Sequence, residues 1–129
     1  MTLAVLDASA LMALMLGEPG AEIVEEHLDG AYLSTVNLAE VVAKMLSRGA
    51  ELQLVRTEIE AAGIETVALD EAQALRVGEL HAAMRRHGLS LGDRACLALA
   101  AATGRIAVTG DRPWADADVG VGVEVRLIR

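Results

Sequence analysis

The feature that most limits the fold of this chain is a repeated alternation of short strand-like runs with longer helical ones. The strand-like runs are rich in Val, Ile, Leu and Ala, and the segments between them carry apolar residues at helical spacing. This alternation is typical of an α/β protein whose mainly parallel strands are joined by helices. The predicted strands cover residues 3–6, 31–34, 64–69, 106–109 and 123–128.

Glycines and capping residues mark the ends of the predicted helices. Gly49, Gly63 and Gly88 each close a helical segment, and Asp70 and Ser90 stand where helices begin. The predicted helices cover residues 8–16, 21–28, 35–48, 51–62, 71–87 and 91–103.

The composition agrees with one α/β domain. Of the 129 residues, 53% are hydrophobic and only 2% are aromatic, so the core must be built from aliphatic side chains and Met. A chain of this length is enough for about one domain. Because no repeat or linker divides the sequence, we expect a single domain over residues 1–129.

The net charge and the absence of targeting signals limit the functions and the cellular locations that we expect for this chain. The formal net charge of −8 argues against binding nucleic acid by bulk electrostatics, so such a role needs local positive charge or bound metal ions. The apolar run at residues 2–16 is too short to cross a bilayer, lacks a basic segment before it and contains Asp7. Cys96 is the only cysteine, which leaves no intrachain disulfide. These features predict a soluble, cytoplasmic protein without membrane association.

Four carboxylates stand apart from the acidic residues that solvated helix faces explain. Asp7 directly follows the first strand and is the only charge among the first 17 residues, and Asp111 follows the fourth strand. Ligands of an open parallel sheet bind beyond the carboxyl ends of its strands. Glu40 is the only charge between residues 31 and 43, and Asp93 opens a mostly apolar helix.

Each of the four also has a local explanation that needs no metal. These are a helix cap for Asp7, an ion pair with Lys44 for Glu40, a capping box with Ser90 for Asp93, and an Asx turn before Pro113 for Asp111. As a set, however, four carboxylates at one crevice would repel one another unless a cation offset their charge. Oxygen ligands without a His or Cys cluster favour Mg²⁺ or Mn²⁺ over Zn²⁺. The set therefore predicts an acidic metal site.

Four motifs, in this order, resemble those of the PIN domain family, and within it the VapC-type toxins of toxin–antitoxin (VapBC) pairs. They are VLDASAL at 5–11, NLAEVV at 37–42, LSLGDRACLALA at 89–100 and VTGDRPW at 108–114. The resemblance covers nearly the whole chain. It implies a PIN-like (Rossmann-like), three-layer α/β/α fold with a mainly parallel sheet in strand order 3-2-1-4-5.

The resemblance also implies site residues. It makes Asp7, Glu40, Asp93 and Asp111 the catalytic and metal-binding residues, gives Ser9 and Thr109 a supporting role through hydrogen bonds, and puts an additional acid at Asp116 or Asp118. The implied activity is that of a metal-dependent endoribonuclease, which hydrolyses RNA phosphodiester bonds with Mg²⁺ or Mn²⁺. The implied partners are the RNA substrate, a VapB-type antitoxin that inhibits the toxin, and a second copy of the chain in a homodimer.

Recognition of RNA by this chain would depend on its scattered cations. With one Trp, one Tyr and no Phe, the chain has little capacity to stack on bases, which favours contacts to the RNA backbone. The cations able to line an approach to the acidic site are Lys44, Arg48, Arg85, Arg86, Arg94 and Arg112.

Two other functions compete with the nuclease. The first is a non-catalytic PIN-like interaction module, which would not need all four carboxylates. The second is a receiver-like phosphoacceptor, in which Asp7 or Asp111 takes the phosphoryl group. A receiver wants a Lys shortly after a strand near its site, whereas Lys44, the only Lys of this chain, lies in the middle of a predicted helix.

Overall fold

The computed structural model describes residues 3–115 and 122–129, and within them the strands form one five-stranded sheet. The strands are β1 (Ala4–Leu6), β2 (Tyr32–Ser34), β3 (Glu65–Val67), β4 (Ile106–Thr109) and β5 (Val125–Leu127). They lie in the order β3-β2-β1-β4-β5, and every neighbouring pair is parallel. The predicted α/β class and the strand order 3-2-1-4-5 are therefore confirmed.

Helices connect the strands, as parallel pairing requires. They are α1 (Ala8–Leu16), α2 (Ala21–Glu26), α3 (Thr35–Ser47), α4 (Leu52–Ala61), α5 (Glu71–Ala83), α6 (Leu91–Thr103) and the short α7 (Arg112–Ala115). None of the helices in residues 3–115 and 122–129 combines the length and the apolar character needed to span a membrane.

Alternate residues of the central strands enter two cores, one on each face of the sheet. Leu6 of β1 and Val108 of β4 pack with apolar residues of α1, α3 and α4. Val5 and Ala107 point the other way and pack against α5 and α6. This alternation confirms the three-layer α/β/α architecture.

The helix predicted over residues 71–87 is shorter than expected. Helix α5 ends at Ala83, and a single 3₁₀ turn over Arg85–His87 follows it. Met84 between them leaves helical geometry (φ −117°, ψ 25°), and its side chain is buried in the core shared with α6. The tighter turn after Met84 leads the chain into Gly88 and the start of α6.

The sheet order reverses between β1 and β4, which run in parallel with Leu6 opposite Val108. The chain leaves β1 toward β2 on one side, and β5 lies on the other side of β4. The crevice beyond the carboxyl ends of these two strands is where a sheet of this kind binds ligands. Asp7 directly follows β1, and Asp111 lies two residues after the end of β4.

Candidate active site

Asp7 lies at this crevice as the N-cap of α1. Its Oδ1 accepts hydrogen bonds from the Ala10 N–H (2.8 Å) and the Ser9 hydroxyl (2.7 Å), and its Oδ2 accepts from the Thr109 hydroxyl (2.5 Å). The residue is only 3% exposed. The expected cap is present, but a cap requires only a hydrogen bond to the helix N-terminus. Capping therefore does not explain why the whole carboxylate is buried.

Two hydroxyl groups join Asp7 to the loop that follows β4. Ser9 Oγ accepts a hydrogen bond from the Gly110 N–H (2.8 Å), and Thr109 Oγ1 accepts one from the Asp111 N–H (2.9 Å). Each hydroxyl thus donates to one oxygen of Asp7 and accepts from the backbone beyond β4. The orientation of the Asp7 carboxylate is therefore fixed from both α1 and β4.

Burial controls the ionisation of Asp7. Removal from water, with a smaller contribution from the negative charge of Asp93, raises the pKa of the carboxyl to about 6, even though the hydrogen bonds from Thr109, Ala10 and Ser9 act to lower it. A nearby cation would favour the charged form and reverse this shift.

Asp93 lies in the first turn of α6, in the capping box predicted from its spacing to Ser90. The Asp93 N–H donates to Ser90 Oγ (3.1 Å), and Asp93 Oδ2 accepts from the Ser90 N–H (3.0 Å). Its side chain is partly exposed, and Oδ1 takes no part in the capping box. The local role of Asp93 thus leaves one oxygen for another ligand.

Glu40 is held by a neighbour on its own helix and by the start of α6. The Asn37 side-chain N–H₂ donates both to Glu40 Oε1 (2.9 Å) and to the Gly92 carbonyl (3.1 Å). Asn37 is buried, and its Oδ1 has no hydrogen-bond partner within the described residues. The ion pair with Lys44, which was the alternative explanation for Glu40, is not formed, since the single salt bridge found in residues 3–115 and 122–129 joins Arg56 to Glu60.

Electrostatic effects connect the acids across the crevice. Partial burial and then the charge of Asp93 raise the pKa of Asp111. Cys96 is fully buried in α6, and desolvation and then the charges of Asp7, Asp93 and Glu40 raise the pKa of its thiol. Asp93 therefore repels both strand-end aspartates, and three of the four acids act on one buried group.

The carboxylates nevertheless remain apart. In the part of the chain that the structure describes, no three His, Cys, Asp or Glu side chains lie close enough together to hold a metal ion. Glu40 is bonded to Asn37 and Asp93 to Ser90, each within its own helical segment. The additional acid expected at Asp116 or Asp118 lies outside the described residues.

Comparison with known proteins identifies the family. The sequence profile of the PIN domain matches residues 4–120. The chain belongs to the PIN domain family. Family membership excludes the receiver-like phosphoacceptor, which has another fold. No curated protein sequence matches the chain.

Solved structures with the same fold span the whole PIN domain. A toxin–antitoxin complex from Klebsiella pneumoniae is 20% identical, with a TM-score of 0.74 over 98% of both chains. The DNA-bound VapBC from Salmonella typhimurium is 17% identical, with a TM-score of 0.69 over 100% of both chains. FitAcB from Neisseria gonorrhoeae is 19% identical, with a TM-score of 0.67 over 98% of both chains. Because these sequence identities are low, the similarity between this chain and the three structures is a similarity of fold.

The donor set of this PIN domain fits a hard divalent cation. It offers only carboxylate and hydroxyl oxygens, which Mg²⁺ and Mn²⁺ prefer. The raised pKa of Asp7 and the repulsion by Asp93 are the two features that a bound cation would relieve. Because no three acids meet, the side chains of Asp93, Asp111 or Glu40 would have to rotate toward Asp7 to share one ion.

Asn37 and Gly92 contribute to the site without having been predicted from the sequence. Asn37 lies three residues before Glu40, so the two face each other on one side of α3, a signal that the sequence does contain. Gly92 is different, because its contact with Glu40 arises only when α3 packs on α6.

Gly92→Ala is expected to displace Glu40 with little loss of stability. A Cβ at Gly92 would collide with Oε1 and lie 2.6 Å from Cδ and 2.7 Å from Oε2 of Glu40. Glu40 is only partly buried, so its flexible end can move aside. We expect a fall in catalytic activity of about 10-fold or more, as for loss of an orienting contact. Gly78→Ala is the matched control, because a Cβ there meets nothing within 4 Å on α5. Equal activity of the two variants would contradict a role for the position of Glu40.

Proposed function

We propose that this PIN domain is a metal-dependent endoribonuclease of the VapC type, the toxin of a type II toxin–antitoxin pair. The observation that carries the proposal is Asp7, a buried carboxylate at the sheet's switch point with both oxygens oriented by hydroxyl groups. Such a group is costly to bury unless a partner offsets its charge. Catalytic sites are where perturbed carboxylates of this kind concentrate.

Each residue of the crevice has a role in this proposal. Asp7, Asp93 and Asp111 would hold Mg²⁺ or Mn²⁺, and Glu40 would share in binding or orient the attacking water. When bound, the ion supplies a lowered water pKa and charge stabilisation of the leaving oxygen. Ser9 and Thr109 keep the Asp7 carboxylate in one orientation, because each donates to a different oxygen. Asn37 restrains Glu40 in the same way.

A toxin role draws on the named structural neighbours. Those from Klebsiella and Salmonella are a toxin–antitoxin complex and a DNA-bound VapBC, respectively. By analogy with these complexes, a VapB-type antitoxin is the partner of this chain, and an RNA is its substrate in the proposed ribonuclease reaction. The homodimer implied by the resemblance stays a prediction.

A surface groove suits an antitoxin segment. A cavity of about 350 Å³ lies between α3, α4 and β3, and apolar side chains such as Leu38, Val42 and Ile59 line it. Leu52 at its rim and Leu54 nearby on α4 are more than half exposed. Exposed apolar surface of this kind marks binding sites for partner proteins. We assign the groove to an apolar stretch of the antitoxin.

The non-catalytic module stays a second candidate because of two observations. Asp7 and Asp93 both act as helix-capping residues, and no three acids meet in metal-binding geometry within the described residues. A protein that only binds its partner would keep the caps and need no ion. This alternative predicts that loss of a carboxylate charge changes nothing except stability.

Cleavage of a panel of structured RNAs distinguishes the two functions. The purified protein is assayed with Mn²⁺ or Mg²⁺ and with EDTA, next to Asp93→Asn and a matched control, Asp70→Asn. Asp70 is also an acid at a helix N-terminus, where it accepts from the Gln73 N–H (2.8 Å), so its variant reports the loss of a capping charge alone. We expect cleavage that requires the metal, disappears in Asp93→Asn and persists in Asp70→Asn. Absence of cleavage with every metal, together with Mn²⁺ binding unaffected by Asp93→Asn, would favour the interaction module.

A further inference from the structure

A cationic cavity adjoins the candidate active site. The cavity has a volume of about 400 Å³ and is lined by residues in and next to α1 and α3 and by Arg129, which follows β5. Its charged residues are Lys44, Arg48, Arg129 and a single acid, Glu18. This excess of positive charge contrasts with the net charge of −8 for the whole chain.

Arg129 contacts both the segment after α1 and the loop after β4. Its Nη1 donates to the Pro19 carbonyl (3.1 Å), and its guanidinium packs on Gly110, where an added Cβ would lie 2.9 Å from Cζ. The Gly110 N–H donates to Ser9 Oγ, which in turn donates to Asp7. One side of the cavity is thus linked to the buried carboxylate through two hydrogen bonds.

We infer that this cavity binds the phosphate groups of the RNA strand next to the cleaved bond, through Arg129, Arg48 and Lys44. The inference rests on the proposed ribonuclease function. A strand that crosses the crevice must continue over an adjoining surface, and Ser9 belongs to both the crevice and the cavity. A guanidinium has five N–H donors. Among the described residues, the acceptor found for Arg129 is the Pro19 carbonyl, so the remaining donors of Arg129 can bind a phosphate.

Other features of the chain also favour binding of the backbone over binding of bases. Tyr32, the only tyrosine, lies beneath Arg105, whose guanidinium carbon is 3.4 Å from the ring centre. Arg94, another cation expected to approach the site, instead donates to the Val77 carbonyl (2.9 Å). By contrast, the side chains of Lys44, Arg48 and Arg129 are exposed at the cavity, so their charged groups can contact phosphate.

Salt-dependent RNA binding tests the inference. The probe is a short labelled single-stranded RNA of mixed sequence, titrated in EDTA so that it is not cleaved. The double variant Arg48→Gln/Arg129→Gln is compared with Arg56→Gln/Arg76→Gln, two exposed arginines outside the cavity, so that both proteins lose the same charge. Each phosphate contact to a single strand contributes about 0.7 to the slope of log K against log salt. The cavity variant loses two such contacts, so we expect its slope to be shallower than that of wild type by about 1.4. When the salt concentration rises fourfold, the RNA affinity of the cavity variant should therefore fall by a factor about 7-fold smaller than that of wild type.

The control double variant is expected to keep the slope of wild type. Equal slopes for the two double variants, or no binding of the probe by wild type, would overturn the inference. In a second arm of the experiment, a polyglutamate peptide replaces the RNA. If the cavity variant loses binding of the peptide and keeps binding of RNA, the cavity binds an acidic protein segment, and the inference is likewise overturned.

Failure of the inference differs from failure of the proposed function. If wild type cleaves RNA with Mn²⁺ while the slopes stay equal, the inference is wrong and the ribonuclease proposal survives. If the slopes differ as expected but no RNA is cleaved with any metal, the cavity binds RNA and the catalytic proposal is wrong. In an active enzyme, the cavity variant should raise KM by a larger factor than it lowers kcat, because the cavity holds the strand and not the reacting atoms.

Discussion

Asp7→Asn is expected to abolish metal-dependent RNA cleavage and, in the same protein, to increase stability at neutral pH without metal. Loss of an orienting group outside the metal shell costs about 10- to 100-fold in activity, so loss of a metal-binding carboxylate should cost at least about 100-fold. Stability should rise because the neutral amide avoids burying a charge. With a pKa of about 6 against 3.8 for an ordinary aspartate, the charged form costs up to about 3 kcal/mol. The corresponding rise in Tm is roughly 10 °C.

This pair of opposite effects separates a functional carboxylate from a structural cap. Asparagine is as good an N-cap as aspartate, and its Oδ1 can still accept from Ala10 and Ser9. Asp70→Asn is the control, because Asp70 caps α5 through its carboxylate at an exposed position. We expect that variant to keep its activity and to gain no stability. An Asp7→Asn protein that is less stable than wild type and still active would contradict the account.

Asp7 is expected to make the metal-free protein less stable as the pH rises from about 4 to about 7. Below pH 3.8 Asp7 is protonated in the folded and unfolded states, so the folded state bears no cost from its burial. As the pH rises through the folded pKa of about 6, the buried group must ionise, and up to about 3 kcal/mol of unfolding free energy is lost. Mn²⁺ should restore stability mainly above pH 6, because it binds the ionised carboxylate.

Urea denaturation over this pH range, with and without Mn²⁺, measures the effect. Other carboxylates titrate over the same range, so the informative quantity is the difference in unfolding free energy between wild type and Asp7→Asn. The charged and polar groups that act on Asp7 are Asp93, Thr109, Ser9 and the Ala10 N–H. The difference should be near zero at about pH 4 and reach its full value above about pH 7. A difference that does not change with pH would show that Asp7 ionises normally in the folded protein.

The α/β class and the position of Asp7 could be predicted because they depend on local sequence, whereas the strand order 3-2-1-4-5 was implied by the resemblance to PIN domains. The strand runs and their helical connections predict a parallel sheet, and a residue that follows a parallel strand must lie at its carboxyl end. The capping box of Ser90 and Asp93 could be predicted in the same way, from spacing alone.

The contacts that complete the site depend on packing between distant segments. Gly92 meets Glu40 because α3 packs against α6, and Arg129 reaches Pro19 and Gly110 from 110 and 19 residues away along the chain. No spacing rule connects such residues. The end of α5 was mispredicted for a similar reason, because Met84 leaves helical geometry where its side chain is buried against α6.

The most direct test of the central claim is Mn²⁺ binding followed by electron paramagnetic resonance of the free ion, with wild type, Asp7→Asn and Asp70→Asn compared. The account predicts at least one bound Mn²⁺ per chain, bound equally by Asp70→Asn and lost in Asp7→Asn. Mn²⁺ that binds Asp7→Asn as tightly as wild type, or that binds none of the three proteins, would contradict a metal site at the ends of β1 and β4.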